Sequence, residues 1–386
     1  MKGPGDKSAA KLSSLQFLLT VGPCLFLTFF RIGYLCMPRP LNDFITYWAA
    51  GHLFLQGQNP YSASAVIALE SAMGYDQPLV MLNPPWSIPL MVLFGSVSFS
   101  LAHMVWLLLV LCMEVACVLL LWRYFGGEKK KSWIALLVLA SFLPAGITEQ
   151  LGQITPLLLV GLTAFLWMMR RQQYMWAGVS LYLLTLKPHL CWLIFLAIFL
   201  WALQRRVWSL IVLPVLICLA GATLAFVWNP ATLGYFHQTS QSALGSICGL
   251  AYLMGPWVFT HYPWLRFLPM LVGIWWFIGY WKKYHQHWSW AEHVPLLLLV
   301  SICTSPYYWV HDFEFALPAL IVVAVKTSRM QGRWMLVPVM WFVFQIIIIG
   351  SEVFTGGWMA AVSVLWIVYW QLSQRFLRNA VDLPTE

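Results

Sequence analysis

Ionisable side chains that end or interrupt apolar runs are where chemistry is to be sought in a sequence as apolar as this one. Asp43 lies between Pro40-Leu41-Asn42 and the run Phe44-Ile45-Thr46-Tyr47, and it is the candidate reacting carboxylate. Lys187 stands in Thr185-Leu186-Lys187-Pro188-His189, where Pro188 forbids a helix to continue, and it offers a cation for a phosphate. His311 and Asp312 follow Ser305-Pro306-Tyr307-Tyr308-Trp309, Thr148 to Gln153 reads TEQLGQ between two apolar runs, and Glu114 sits inside another. Each has a plainer reading. Asp43 can cap the helix it opens, worth on the order of 1 kcal/mol, and Lys187 can snorkel to a lipid headgroup. The aromatics before His311 fit an interfacial belt, TEQLGQ a glycine-containing polar turn, and Glu114 a structural partner in a helix bundle. Capping and catalysis are compatible, and a belt does not explain a His-Asp pair beside it.

The elements that hold these residues follow from composition and punctuation. Of 386 residues 61% are hydrophobic and 9% charged, with mean hydropathy +0.75, which excludes a soluble globular chain and implies a polytopic, all-α integral membrane protein. The net charge of +9, from 22 basic and 13 acidic residues, comes in short clusters at the ends of apolar segments. That is topology signal, and nucleic acid is not expected as a partner. The run from Leu12 to Tyr34 is too long for a cleaved leader and is kept as the first anchor. Eight cysteines and nine histidines show no recurring ligand spacing, so no metal is expected. No phosphate-binding P-loop, dinucleotide fingerprint or nucleophile elbow is present, which argues against nucleotide hydrolysis, and no cofactor is expected.

The chain reads as one domain over 1–386: a first helix at 12–34, an external loop at 38–83, a helical bundle over 84–374 and a cytoplasmic tail at 375–386. Within the loop, prolines 38 and 40 delay a helix until Asp43, and Gly57 with Asn59-Pro60 ends it. Fifteen residues reach only about 22 Å, short of a crossing. Phe44, Trp48, Gly51 and Leu55 form one stripe and Asp43, Tyr47 and Ala50 another, which predicts a helix in the interface plane. Basic clusters at 129–131, 170–171, 205–206, 282–283 and 375–378 are placed in the cytoplasm, so Asp43, Gln153, Lys187 and His311 fall outside. Segment 84–98 starts at Pro84-Pro85 and contains Gly95; read as re-entrant or broken, it leaves about 12 transmembrane helices with both termini inside. Thirteen is the alternative.

Asn42-Asp43-Phe44-x-x-Tyr47-x-Ala49, Gly57-x-Asn59-Pro60-Tyr61 and Asn83-Pro84-Pro85 form an ordered series. Gly152-Gln153, Gly178, Leu186-Lys187-Pro188, Ser305-Pro306 and His311-Asp312 continue it. Together they resemble glycosyltransferase family 87 of the GT-C superfamily, the mannosyl- and arabinosyltransferase-like membrane proteins, although Asn83 stands where that family usually has an aromatic. The resemblance implies a multi-pass cell-membrane protein of GT-C type that moves a sugar, mannose-like, from a polyprenyl phosphate to a lipid or glycan acceptor. Transfer would take place on the non-cytoplasmic face with inversion, within the cell envelope. It implies Asp43 as the base; the leaving lipid phosphate needs preplaced cations, a role assigned to Lys187 and His311, and Tyr47, Tyr61, Gln153 and Asp312 are candidate substrate contacts. A transporter or lipid flippase with the same intramembrane charges, or a membrane scaffold, remains open from the residues alone.

Overall fold

In a computed structural model the chain is described over residues 22, 24–33, 43–75, 79–242, 261–329 and 370. Of the expected bundle over 84–374, residues 243–260, 330–369 and 371–374 lie outside the described residues, as do the tail at 375–386 and most of the first helix before residue 24. All regular elements among the described residues are helices, with no strand. The α-helices are α1 (Cys24–Gly33), α2 (Phe44–Leu55), α3 (Ala63–Ala72), α4 (Ile88–Gly95), α5 (Phe99–Tyr124), α6 (Trp133–Ala140), α7 (Leu143–Leu151), α8 (Thr155–Arg170) and α9 (Tyr174–Leu184). They continue as α10 (Trp192–Arg205), α11 (Ser209–Trp228), α12 (Thr232–Ser242), α13 (Leu268–Tyr284), α14 (Trp290–Cys303) and α15 (Leu317–Thr327).

Two of them, α5 with 26 residues and α11 with 20, are long and apolar enough to cross a membrane. Their composition makes this a membrane protein. A third crossing exists if the helical stretches Lys129–Ala140 and Leu143–Leu151, bent by 63° from one another, count as one. Pro144 lies in the first turn of α7, where it has no N–H for the Ala140 carbonyl and its ring would clash with that group, so α6 stops at Ala140 and Phe142 turns extended. Segment 84–98 forms only a 3₁₀ turn, Pro85–Ser87, and the eight-residue α4. At about 1.5 Å per residue such a helix cannot span.

The helix opened by Asp43 departs from the interfacial expectation. Ten of its twelve residues are buried, because protein covers Phe44, Trp48 and Gly51 of one stripe and Tyr47 and Ala50 of the other, leaving Leu55 exposed. Trp48 Nε1 donates to the Val97 carbonyl at 2.9 Å, and Phe44 stacks on Trp106 of α5 at 5.5 Å. Close approach is possible because Gly51 of α2 faces the Met91 carbonyl and Gly95 faces the backbone of Gly51, with no room for a Cβ on either. Gly51→Ala is therefore expected to push α2 off α4 and destabilise the protein by about 1–3 kcal/mol. Thermal unfolding of the purified variant reads this, and an unchanged melting temperature refutes the close contact.

At one end of α5, Lys131 Nζ donates to the Ser328 carbonyl at 3.0 Å and Arg170 to the Tyr124 carbonyl at 3.1 Å, so three separate basic segments meet there. At the other end Trp106 donates to the Gly152 carbonyl at 2.8 Å. Between the two ends Arg31 of α1 reaches into the bundle, pairing with Glu149 and lying 3.6 Å from Glu114. Glu114 thus has a structural partner.

Candidate active site

Four short segments converge at the Trp106 end of α5. Asp43 stands at the start of α2, but its carboxylate does not cap the helix. Its backbone carbonyl serves Thr46 instead, accepting from both the amide at 3.1 Å and the hydroxyl at 2.8 Å. The freed carboxylate accepts a hydrogen bond at Oδ2 from Gln153 Nε2. Gln153 is presented by the sharp turn between α7 and α8: Gly152 closes α7 at φ +66°, a left-handed conformation that suits glycine. Gln153 Oε1 accepts from Lys187 Nζ at 2.9 Å and from the Tyr47 hydroxyl at 3.2 Å.

Lys187 is carried by the loop after α9, where Pro188 starts a new 3₁₀ turn. That loop is braced from the 83–86 segment: Asn83 donates to the Leu186 carbonyl at 3.4 Å and Trp86 to the Thr185 hydroxyl at 3.1 Å. Lys187 Nζ also meets Asp312 Oδ1 at 2.6 Å and Thr155 Oγ1 at 3.4 Å. Asp312 belongs to the 3₁₀ segment Val310–Ala316, and its Oδ2 accepts from the Trp309 amide at 2.9 Å. His311 Nε2 lies 3.6 Å from Asp312 Oδ1. The structure therefore brings Asp43, Tyr47, Gln153, Lys187, His311 and Asp312 together. Tyr61 stands apart, its hydroxyl donating to the Asn83 carbonyl at 2.5 Å, where it supports the loop that braces Lys187.

Burial and charge set the protonation states. Burial raises the Asp43 carboxyl above its ordinary value; Gln153 and Lys187 oppose this, and Asp312 adds to it. Burial would also raise Asp312, but Lys187, His311 and His189 outweigh it and hold that carboxyl well below the usual range. Burial pushes His311 down to about 3, with Asp312 opposing, so His311 rests as a neutral imidazole. The pocket thus holds one anion paired to one cation, beside a carboxylate of raised basicity.

Two neighbours of the site have no role assigned from the sequence. His189 stacks on Tyr307 with ring centroids 4.1 Å apart, and its buried Nε2 has no hydrogen-bond partner among the described residues. The signal was its place directly after Lys187-Pro188. Glu70 of α3 is buried and accepts from the Leu79 amide at 2.9 Å, and burial pushes its carboxyl up to about 7. A lone glutamate in an apolar, alanine-rich run was the sign there. Among the described residues no group of three His, Cys, Asp or Glu side chains is arranged to hold a metal ion.

The profile of glycosyltransferase family 87 matches residues 82–330, more than half of the chain. The chain belongs to that family. It is a membrane glycosyltransferase, acting between a sugar donor and an acceptor. No curated protein and no solved structure matches it. The family match includes Gln153, Lys187, His311 and Asp312 but begins after Asp43, so Asp43 joins the site through geometry, by its bond to Gln153.

Proposed function

We propose that this glycosyltransferase moves a sugar, mannose-like, from a polyprenyl phosphate to a hydroxyl of a lipid or glycan acceptor, on the non-cytoplasmic face and with inversion. The observation that carries the reading is the bridge across Gln153, which sets a carboxylate of raised basicity beside a lysine already paired to an anion. Asp43 takes the acceptor proton as the hydroxyl oxygen attacks the anomeric carbon. The bond from that carbon to the phosphate oxygen breaks on the opposite side, and its electron pair stays with the phosphate. Lys187 meets the growing charge, keeping Asp312 and exchanging the Gln153 oxygen for a phosphate oxygen, and neutral His311 donates a hydrogen bond to it. An apolar bundle of about 12 crossings of GT-C type gives the polyprenyl tail its surroundings. Incubating the purified protein with radiolabelled polyprenyl-phosphate sugars and a panel of lipid and glycan acceptors tests this. Labelled acceptor is expected; lipid moved across the bilayer with no transfer in any pairing would replace the reading with a flippase.

The face of the membrane carries its own prediction. The basic groups Lys131 and Arg170 gather at one end of α5 and the site at the other, so Lys130 belongs in the cytoplasm and positions 187 and 311 outside. In a cysteine-free background a single cysteine at Trp309, which is 45% exposed beside the buried His311, is expected to react with an impermeant maleimide from outside, and one at the exposed Lys130 is not. Labelling at 130 and not at 309 overturns the assignment of the face.

A further inference from the structure

Gln153 touches both halves of the site, and chemistry fixes which way its amide points. A lysine ammonium has only protons to give, so the amide atom 2.9 Å from Lys187 Nζ is the oxygen. The Tyr47 hydroxyl fills the second lone pair of that oxygen at 3.2 Å. Nε2 is then left to donate to Asp43 Oδ2. The side chain is only 6% exposed, and its backbone amide is held by the Thr148 carbonyl at 3.0 Å. A glutamine so occupied by protein has little left for a substrate.

We propose that Gln153 is the positioning residue of the reaction: it holds Oδ2 of Asp43, leaving Oδ1 for the acceptor proton, and it ties the strength of that base to the state of Lys187. The coupling follows from polarisation. While the lysine sits on Oε1 it withdraws charge from the amide, so the N–H bound to Asp43 is a better donor and the carboxylate a weaker base. A phosphate that draws Lys187 away reverses both effects, so arrival of the donor arms the base. The other charges facing Asp43 are Asp312 and Glu70, with His311 and His189 acting through Asp312. The positioning rests on geometry alone; only the identity of the phosphate and the acceptor rests on the proposed function.

The test reads Asp43 without any substrate. Dicyclohexylcarbodiimide modifies protonated carboxyls, and peptide mass spectrometry of the full chain gives the pH midpoint of labelling at Asp43. In Gln153→Met the midpoint is expected to rise by about one to two pH units, the size of a lost hydrogen bond to a charged group. Gln153→Glu, nearly the same shape, removes the donor and adds a like charge, so it is expected to shift at least as far. A midpoint unchanged in either folded variant overturns the proposal. In the transfer assay kcat is expected to fall about tenfold or more with donor KM within twofold; kcat retained with KM raised makes Gln153 a substrate contact and also overturns it. A shifted midpoint in a protein whose wild type transfers no sugar upholds the positioning and rejects the proposed donor chemistry.

Discussion

Replacing Asp43 by asparagine lowers sugar transfer by about a hundredfold to ten-thousandfold, the usual contribution of a general base, and leaves the protein folded. The fold survives because the Asp43 carboxylate caps nothing and the asparagine oxygen can still accept from Gln153. Donor binding also survives, since Lys187 keeps Gln153 and Asp312 as partners. Turnover in the wild type should further show an acid limb displaced above the ordinary carboxylate range. Asp43 must be ionised to accept a proton, and burial raises the pH at which it becomes so; activity is therefore lost as pH falls through that raised value. A folded variant with near-normal transfer removes Asp43 from the mechanism.

Lys187→Met is expected to damage both stability and chemistry, and a second substitution separates the two. Asp312 is 1% exposed and keeps its charge because Lys187 lies 2.6 Å away. Stranding a buried charge in this way costs about 3–5 kcal/mol. Adding Asp312→Asn removes the stranded charge, so the double variant should recover most of the melting temperature. Transfer should stay about a hundredfold to a thousandfold below wild type, the range lost with one preplaced donor to a developing anion. Recovery of transfer along with stability would assign Lys187 a purely structural role.

The residues that end apolar runs were legible as a set, because a charge there needs a partner whatever the fold. What each one faces was not. Glu149 and Gln153 are four apart and would share a face of a continuous helix, but Gly152 ends α7 between them, so one meets Arg31 and the other Asp43. The helix begun by Asp43 was legible in extent but not in burial: its two stripes suggested half-burial, yet α4 and α5, tens of residues away, pack on Gly51 and Phe44, and Gln153 meets Asp43 and Tyr47. Pairing across such distances leaves no periodic trace in α2 itself. The break in α6–α7 could have been read from Pro144. Tyr61, expected at substrate, instead donates to the Asn83 carbonyl, a backbone atom with no mark in the sequence.

The Arg31 contacts bear on how the protein is made. Glu114 and Glu149 are synthesised 83 and 118 positions after Arg31, so α1 is made well before the two carboxylates that its cation meets. At about 5–20 residues per second that interval lasts on the order of ten seconds, during which Arg31, two residues from the end of α1, has only solvent or headgroups in their place. The ion contacts that hold α1 against α5 and α7 therefore form late in synthesis.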